Sequence, residues 1–263
     1  SLSANLLSNK NTDSIFIIIH GTRGYKSMEV ISSLAQRLYE EGHDTLSINL
    51  SYGINNREDK FLSCDIKHQH NEHESINEIV DWHNYLLREG YKNIKLIGHS
   101  RGALNVIQSL SFLSNAKSVE AIFLLAPILD TYSGTKKYYE GELGIPYDII
   151  ISSDEEYFIS DRYSLINFLF CEDVVVSSNT FRSYLDFSKN ENKYPFTFNI
   201  LDLLNNIESN ITIISGTDDE IAQDSYKIFN SLEKTNIRTL AIDGGDHFFR
   251  DLYLDEVLEV ILE

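Results

Sequence analysis

Gly98-His99-Ser100-Arg101-Gly102 constrains this chain more than any other stretch, because of what lies on either side of it. The β-branched run Asn93 to Ile97 ahead of it reads as a buried strand, and Ala103 to Leu113 behind it is compatible with a helix. A serine on so sharp a turn between strand and helix is held in a strained backbone conformation. Glycines two residues to either side leave the room that a Cβ would otherwise fill. The strain points the hydroxyl into open space above the edge of a sheet.

The remaining sequence alternates strand and helix. Ser14 to Ile19 reads as a central strand ending in the turn His20-Gly21-Thr22-Arg23-Gly24. Ser27 is placed to cap the next helix, whose Val30, Ile31, Leu34 and Leu38 follow helical spacing until Gly42 stops it. Thr45 to Leu50 is the following strand and Ser51 to His73 a polar loop. Ser75 and Glu78 form a capping box for an amphipathic helix carrying Ile76, Ile79, Val80, Leu86 and Leu87, closed by Gly90. Beyond the Ser100 turn come strands at Val119 to Leu125, Ile211 to Ile214 and Ile237 to Ile242, with helices over Ile221 to Leu232 and Leu252 to Leu262. This spacing predicts a three-layer α/β fold: a mostly parallel sheet of about six strands, helices on both faces, and ligands at the carboxyl ends of the strands.

At 263 residues the chain is long enough to bury one full core, and no repeat or Pro/Gly/Ser-rich linker divides it. The interval 128–210 breaks the alternation and holds about half of the tyrosines and phenylalanines. It reads as a cap or lid inserted into a core made of 1–127 and 211–263. Tyr138-Tyr139, Tyr157-Phe158 and Phe168-Leu169-Phe170 either give that cap an aromatic face toward an apolar acyl or aromatic substrate or form its own small core.

A formal charge of −18 argues against binding nucleic acid or anionic lipid through bulk electrostatics. The apolar runs, such as Ile15 to Ile19 and Ala121 to Pro127, are far too short to span a bilayer. Two cysteines, Cys64 and Cys171, permit one bridge but no disulfide framework and no CxxC motif. The expectation is a soluble protein. Because the sequence begins at Ser1 without an initiator methionine, its compartment stays open between cytoplasm and, after leader removal, periplasm or secretion. Nothing in the sequence sets an oligomeric state.

A serine hydroxyl needs a base within hydrogen-bond reach to become a nucleophile, and the base needs an acid to fix its tautomer. Gly216-Thr217-Asp218-Asp219-Glu220-Ile221 follows the penultimate strand and supplies two carboxylates. Gly244-Gly245-Asp246-His247-Phe248 follows the last strand and supplies an imidazole on a glycine-rich loop. The order Ser, Asp, His is the one that an elbow serine in a parallel sheet predicts.

In these three motifs the chain resembles the α/β-hydrolase fold family, from about Ser14 to the C-terminus apart from the insertion. The resemblance implies Ser100 as nucleophile, His247 as general base and then acid, and Asp219 as the third member, with Asp218 the runner-up. It also implies an oxyanion hole from the amides of Arg101 and Thr22, with Gly21 letting the backbone approach the substrate. His20, placed among the substrate-binding candidates with Gly21, His70 and His73, is better suited to bracing its loop than to chemistry. Against the family pattern, the leading hairpin is expected to be absent or frayed, and Ala103 stands where a second glycine is common.

Cys64, His68, His70 and His73 have a spacing reminiscent of a metal site, but one loop rarely closes a tetrahedral site alone, so no metal is assigned. His70 and His73 are instead candidates to line the substrate pocket or to hydrogen-bond the cap; His43, His83 and His99 read as structural. The function expected is a cofactor-free serine hydrolase of the carboxylic-ester class (EC 3.1.1), acting through an acyl-enzyme on a small acyl ester. The alternatives are a thioesterase or acyltransferase on the same residues, a peptidase, or a catalytically silent binding protein of the same fold.

Overall fold

The computed structural model describes residues 2–9, 12–129, 166–185, 200–223, 225–232 and 234–263, with five single positions between 137 and 146. Strands β1 (Ser3–Leu7), β2 (Ser14–Ile19), β3 (Asp44–Asn49), β4 (Asn93–His99), β5 (Val119–Leu125), β8 (Ile211–Gly216) and β9 (Ile237–Ile242) form one sheet. Its order is β1-β3-β2-β4-β5-β8-β9. All neighbours are parallel except β1, which runs antiparallel to β3 from Ser3 opposite Asn49 to Leu7 opposite Thr45.

Alternation within each strand builds the two apolar layers. Ile15, Ile17 and Ile19 of β2 join Leu46, Leu96, Ile122 and Ile213 on one face, under α2 (Glu72–Arg88) and α3 (Arg101–Ser109). Phe16 and Ile18 join Ile97, Phe123 and Ile214 on the other, under α1 (Glu29–Glu40) and the closing helix α7 (Leu252–Leu262). A strand with both faces covered has no polar side to show, which is why β2 reads as an uninterrupted apolar run.

The sheet has one strand more than the six expected. The leading segment is an ordered edge strand, not a frayed extension, and Ser-Ala-Asn-Leu-Leu carries little period-2 signal because its residues are half-buried or exposed. Its order comes from the free edge of β3. Two expected caps are also corrected. Met28 occupies the cap of α1 without a side-chain bond, since the Ser27 hydroxyl is drawn to Asp59. Helix α2 begins a turn earlier than its predicted capping box. Asn71 caps it, accepting from the His73 amide at 3.0 Å, and Glu78 inside the helix instead holds Ser51.

Of the insertion, the structure describes a hairpin of β6 (Ile166–Phe168) and β7 (Cys171–Val174), helix α4 (Ser178–Leu185) and the short α5 (Ile200–Leu204), whose Ile200 and Leu204 lie in the first apolar layer. Tyr138-Tyr139 and Tyr157-Phe158 fall outside the described residues. Phe168 is buried, while Phe170 at the hairpin tip is 77% exposed. A short helix α6 (Ser225–Asn230) links β8 to β9.

Candidate active site

Ser100 sits between the end of β4 and the first turn of α3 with φ 57° and ψ −122°. For a residue with a Cβ this is a sparsely populated region that costs of order 1–3 kcal/mol, so the surroundings must hold it. They do. The Ser100 amide donates to Leu125 O at 2.8 Å, and its carbonyl accepts from the Ala103 amide at 3.1 Å. A Cβ on Gly98 would come within 2.5 Å of Gly102 O, and one on Gly102 within 2.5 Å of His20 O. The two glycines are therefore the condition for the turn, and the turn aligns the start of α3 with the loop after β2.

That loop passes close over the serine. A Cβ on Gly21 would lie 2.7 Å from Ser100 Cβ and 3.2 Å from its Oγ, so only glycine lets the backbone next to Thr22 come so near the hydroxyl. His20 is fully buried; its Nε2 accepts from the Leu50 amide at 3.1 Å and its Nδ1–H donates to Gly21 O at 2.9 Å. Burial, helped by nearby Arg57, lowers its pKa to about 3, so the ring is a neutral brace. Tyr52 accepts from the Arg23 amide at 3.0 Å, and the buried Arg57 guanidinium donates to Leu50 O at 2.7 Å and Gly24 O at 2.6 Å. The Arg101 amide opens α3, at the end of a helix where backbone N–H groups have no acceptor within the helix.

Asp219 and His247 meet at the carboxyl ends of β8 and β9. His247 Nδ1 lies 2.8 Å from Asp219 Oδ2, and both residues are buried. Asp219 Oδ1 accepts from the amides of Ile221 at 2.9 Å and Ala222 at 2.7 Å. Burial opposes ionisation of this carboxyl, but the hydrogen bonds from His247 and the two amides outweigh it and hold its pKa below the ordinary value. Asp218 is exposed. Asp246, next to His247 in sequence, turns instead to the amides of Phe248 and Arg250 and to the Arg250 guanidinium.

The serine turn and the histidine loop touch through His99. Its Nε2–H donates to His247 O at 2.8 Å, with the two rings 5.1 Å apart. Burial, with His247 adding, lowers the His99 pKa to about 4 and keeps it neutral. Among the described residues, the Ser100 hydroxyl and the His247 ring share no hydrogen bond. In a substrate-free site this is the bond that most often tightens only on binding.

The loop after β3 is bound to the insertion along its length. Cys64 and Cys171 form a disulfide. The His68 amide donates to Val175 O and the Ser177 amide to His68 O, each at 2.8 Å. Thr180 Oγ1 donates to His70 O at 2.5 Å, and His70 Nε2 pairs with Tyr184 Oη at 3.0 Å. His73 lies in the first turn of α2, and among the described residues no three His, Cys, Asp or Glu side chains are placed to hold a metal ion. No described helix is long and apolar enough to cross a membrane. Sequence reasoning missed Tyr52, Arg57, Glu72 and Tyr184, whose partners lie on distant segments and leave no local spacing to read.

A parallel sheet of this order, with the serine turn after β4 and acidic and histidine loops after β8 and β9, is the α/β-hydrolase fold. Solved structures agree. Est1E of Butyrivibrio proteoclasticus with ferulic acid bound is 20% identical over 99% of this chain and 92% of that one, with a TM-score of 0.67. A lipase-esterase related protein of Clostridium acetobutylicum is 18% identical over 99% and 98%, TM-score 0.61. A monoacylglycerol lipase of Paleococcus ferrophilus is 14% identical over 100% and 97%, TM-score 0.59. At such identities the likeness establishes the fold. No protein-family model and no curated protein sequence matches the chain.

Proposed function

We propose that the protein is a serine hydrolase of small carboxylic esters, with Ser100, His247 and Asp219 as its triad and residues 128–210 as a cap over the site. The observation that carries this reading is the strained Ser100 backbone, next in sequence to His99, whose ring donates to the backbone of His247 in a buried Asp219–His247 pair. Strained residues of this kind cluster at functional sites, and here the strain presents a hydroxyl.

In the first half-reaction His247 Nε2 takes the Ser100 proton as Oγ bonds to the ester carbonyl carbon. The carbonyl oxygen becomes an oxyanion facing the Thr22 and Arg101 amides. Collapse breaks the ester C–O bond, and His247 gives its proton to the departing alcohol. Water then adds to the acyl-enzyme with His247 again as base, releasing the acid and restoring Ser100. Asp219 holds Nδ1–H throughout and so keeps Nε2 free to accept. No step calls for a cofactor. Because Cys64 and Cys171 are paired, the reading extends to an oxidising compartment.

A chain-length series of nitrophenyl acyl esters, run beside acyl thioesters and with Ser100→Ala and His247→Ala, tests it. The expected result is ester turnover lost in both variants with circular dichroism unchanged, and fluorophosphonate labelling of Ser100 in the wild type. A wild type that binds such esters without turnover or labelling would instead be a silent binding protein.

A further inference from the structure

A buried carboxylate outside the proposed triad stands where three segments meet. Glu72, the first residue of α2, is 5% exposed. Its Oε1 accepts from Asn105 Nδ2 at 2.8 Å and lies 3.7 Å from Arg101 Nη1. Arg101 and Asn105 are four residues apart on α3 and therefore share a face, and Arg101 directly follows Ser100. The Arg101 guanidinium lies over the Tyr184 ring at 5.2 Å. The Glu72 amide donates to Ser183 Oγ at 2.9 Å. The loop and the insertion thus grip the first turn of α3 from one side.

Taking two charges out of water is costly and is repaid only where geometry is well fixed. A lone carboxylate here would also oppose negative charge developing beside Ser100. Arg101 cancels that field and leaves the mechanical hold. We propose that Glu72 is a positioning residue that, acting through Arg101 and Asn105, fixes the first turn of α3 so that the Arg101 amide meets the oxyanion. The assignment rests on the ester-hydrolase reading above.

The test measures kcat and KM on one nitrophenyl ester and Ki for a trifluoromethyl ketone carrying the same acyl group, whose bound hemiketal oxyanion mimics the transition state. Glu72→Ala is expected to lower kcat about 10- to 100-fold and to raise Ki in step, since a misplaced donor loses much of what a deleted one would. KM should stay within about threefold, as ground-state binding is untouched. Glu72→Gln should recover most of the loss, because its amide oxygen still accepts from Asn105. Arg101→Gln should fall below Glu72→Gln, and the double variant should regain part of that deficit by removing the uncompensated charge.

An unchanged kcat and Ki in Glu72→Ala, or a rise in KM alone, would overturn the proposal. So would a double variant no better than Arg101→Gln, a comparison that decides even where Glu72→Ala does not fold. Loss of the parent reading registers separately: a wild type whose turnover survives Ser100→Ala overturns both.

Discussion

The Asp219 carboxylate accepts from two backbone amides through one oxygen and from His247 through the other. Asp219→Asn keeps the first set only by leaving its oxygen on the two amides and turning its NH2 to His247 Nδ1, so the imidazole loses the tautomer that leaves Nε2 able to accept. A kcat about 10⁴-fold lower is expected, with KM and melting temperature little changed, while Asp218→Asn on the exposed side of the same turn stays near wild type; steady-state kinetics and thermal melts check both. Equal losses in the two variants would mean that the acidic turn acts as a unit. The serine turn and the acidic and histidine loops were legible because each follows a strand with glycine beside it, a pattern local to a few positions, whereas the choice of Asp219 over Asp218 came from the family resemblance. Glu72 and Tyr184 were not legible, since their environment is made by residues that are distant in the chain.

At the scale of elements, what the sequence showed depended on whether an element carries its own signal. The strands β2, β4, β5 and β8 lie inside the sheet, buried along most of their length, and their apolar runs placed them closely; the edge strand β9 is buried only at Ile237 and Ile242, and β1 is ordered by its neighbour and stayed invisible. The hairpin of β6 and β7 belongs with the second kind. Its place against the loop after β3 is set by the Cys64–Cys171 bond and the backbone pairing around His68. A bridge with a sequence separation of 107 restrains much of the unfolded chain, by about 4–5 kcal/mol in the chain-entropy model. Cys64→Ser, or reduction with dithiothreitol, should therefore lower the melting temperature by several degrees. KM on the longer acyl esters should also rise, since the loop that carries His70 and leads into α2 loses one of its fastenings. Melts recorded with and without reductant measure the first effect; identical curves would show that the backbone pairing alone holds the hairpin.

Over the whole molecule, acid stability depends on histidines that the fold keeps neutral. Burial is the largest cause in each case: it lowers His20 and His70 to about 3, and His68 and His99 to about 4, from 6.5. Below 6.5 the unfolded chain takes up protons that the folded chain refuses, so stability is fully present above that pH and is lost as pH falls toward 4. Each ring contributes a slope of up to about 1.4 kcal/mol per pH unit. Asp219 adds to the loss only at lower pH, because its folded pKa is depressed below a carboxylate's ordinary value. The net charge of −18 works the other way, since protonation relieves self-repulsion, but most carboxylates protonate near pH 4 and leave the interval from 6.5 to 5 to the histidines. Urea unfolding at intervals from pH 7.5 to 5 should show stability falling from the start of that interval. His68→Phe should flatten the fall, because both His68 ring nitrogens are buried without a hydrogen-bond partner and their loss removes only the proton uptake. A free energy of unfolding that is level from pH 7.5 to 5.5 would mean that these rings are hydrated, and that the loop and insertion around His68 and His70 are not packed as described.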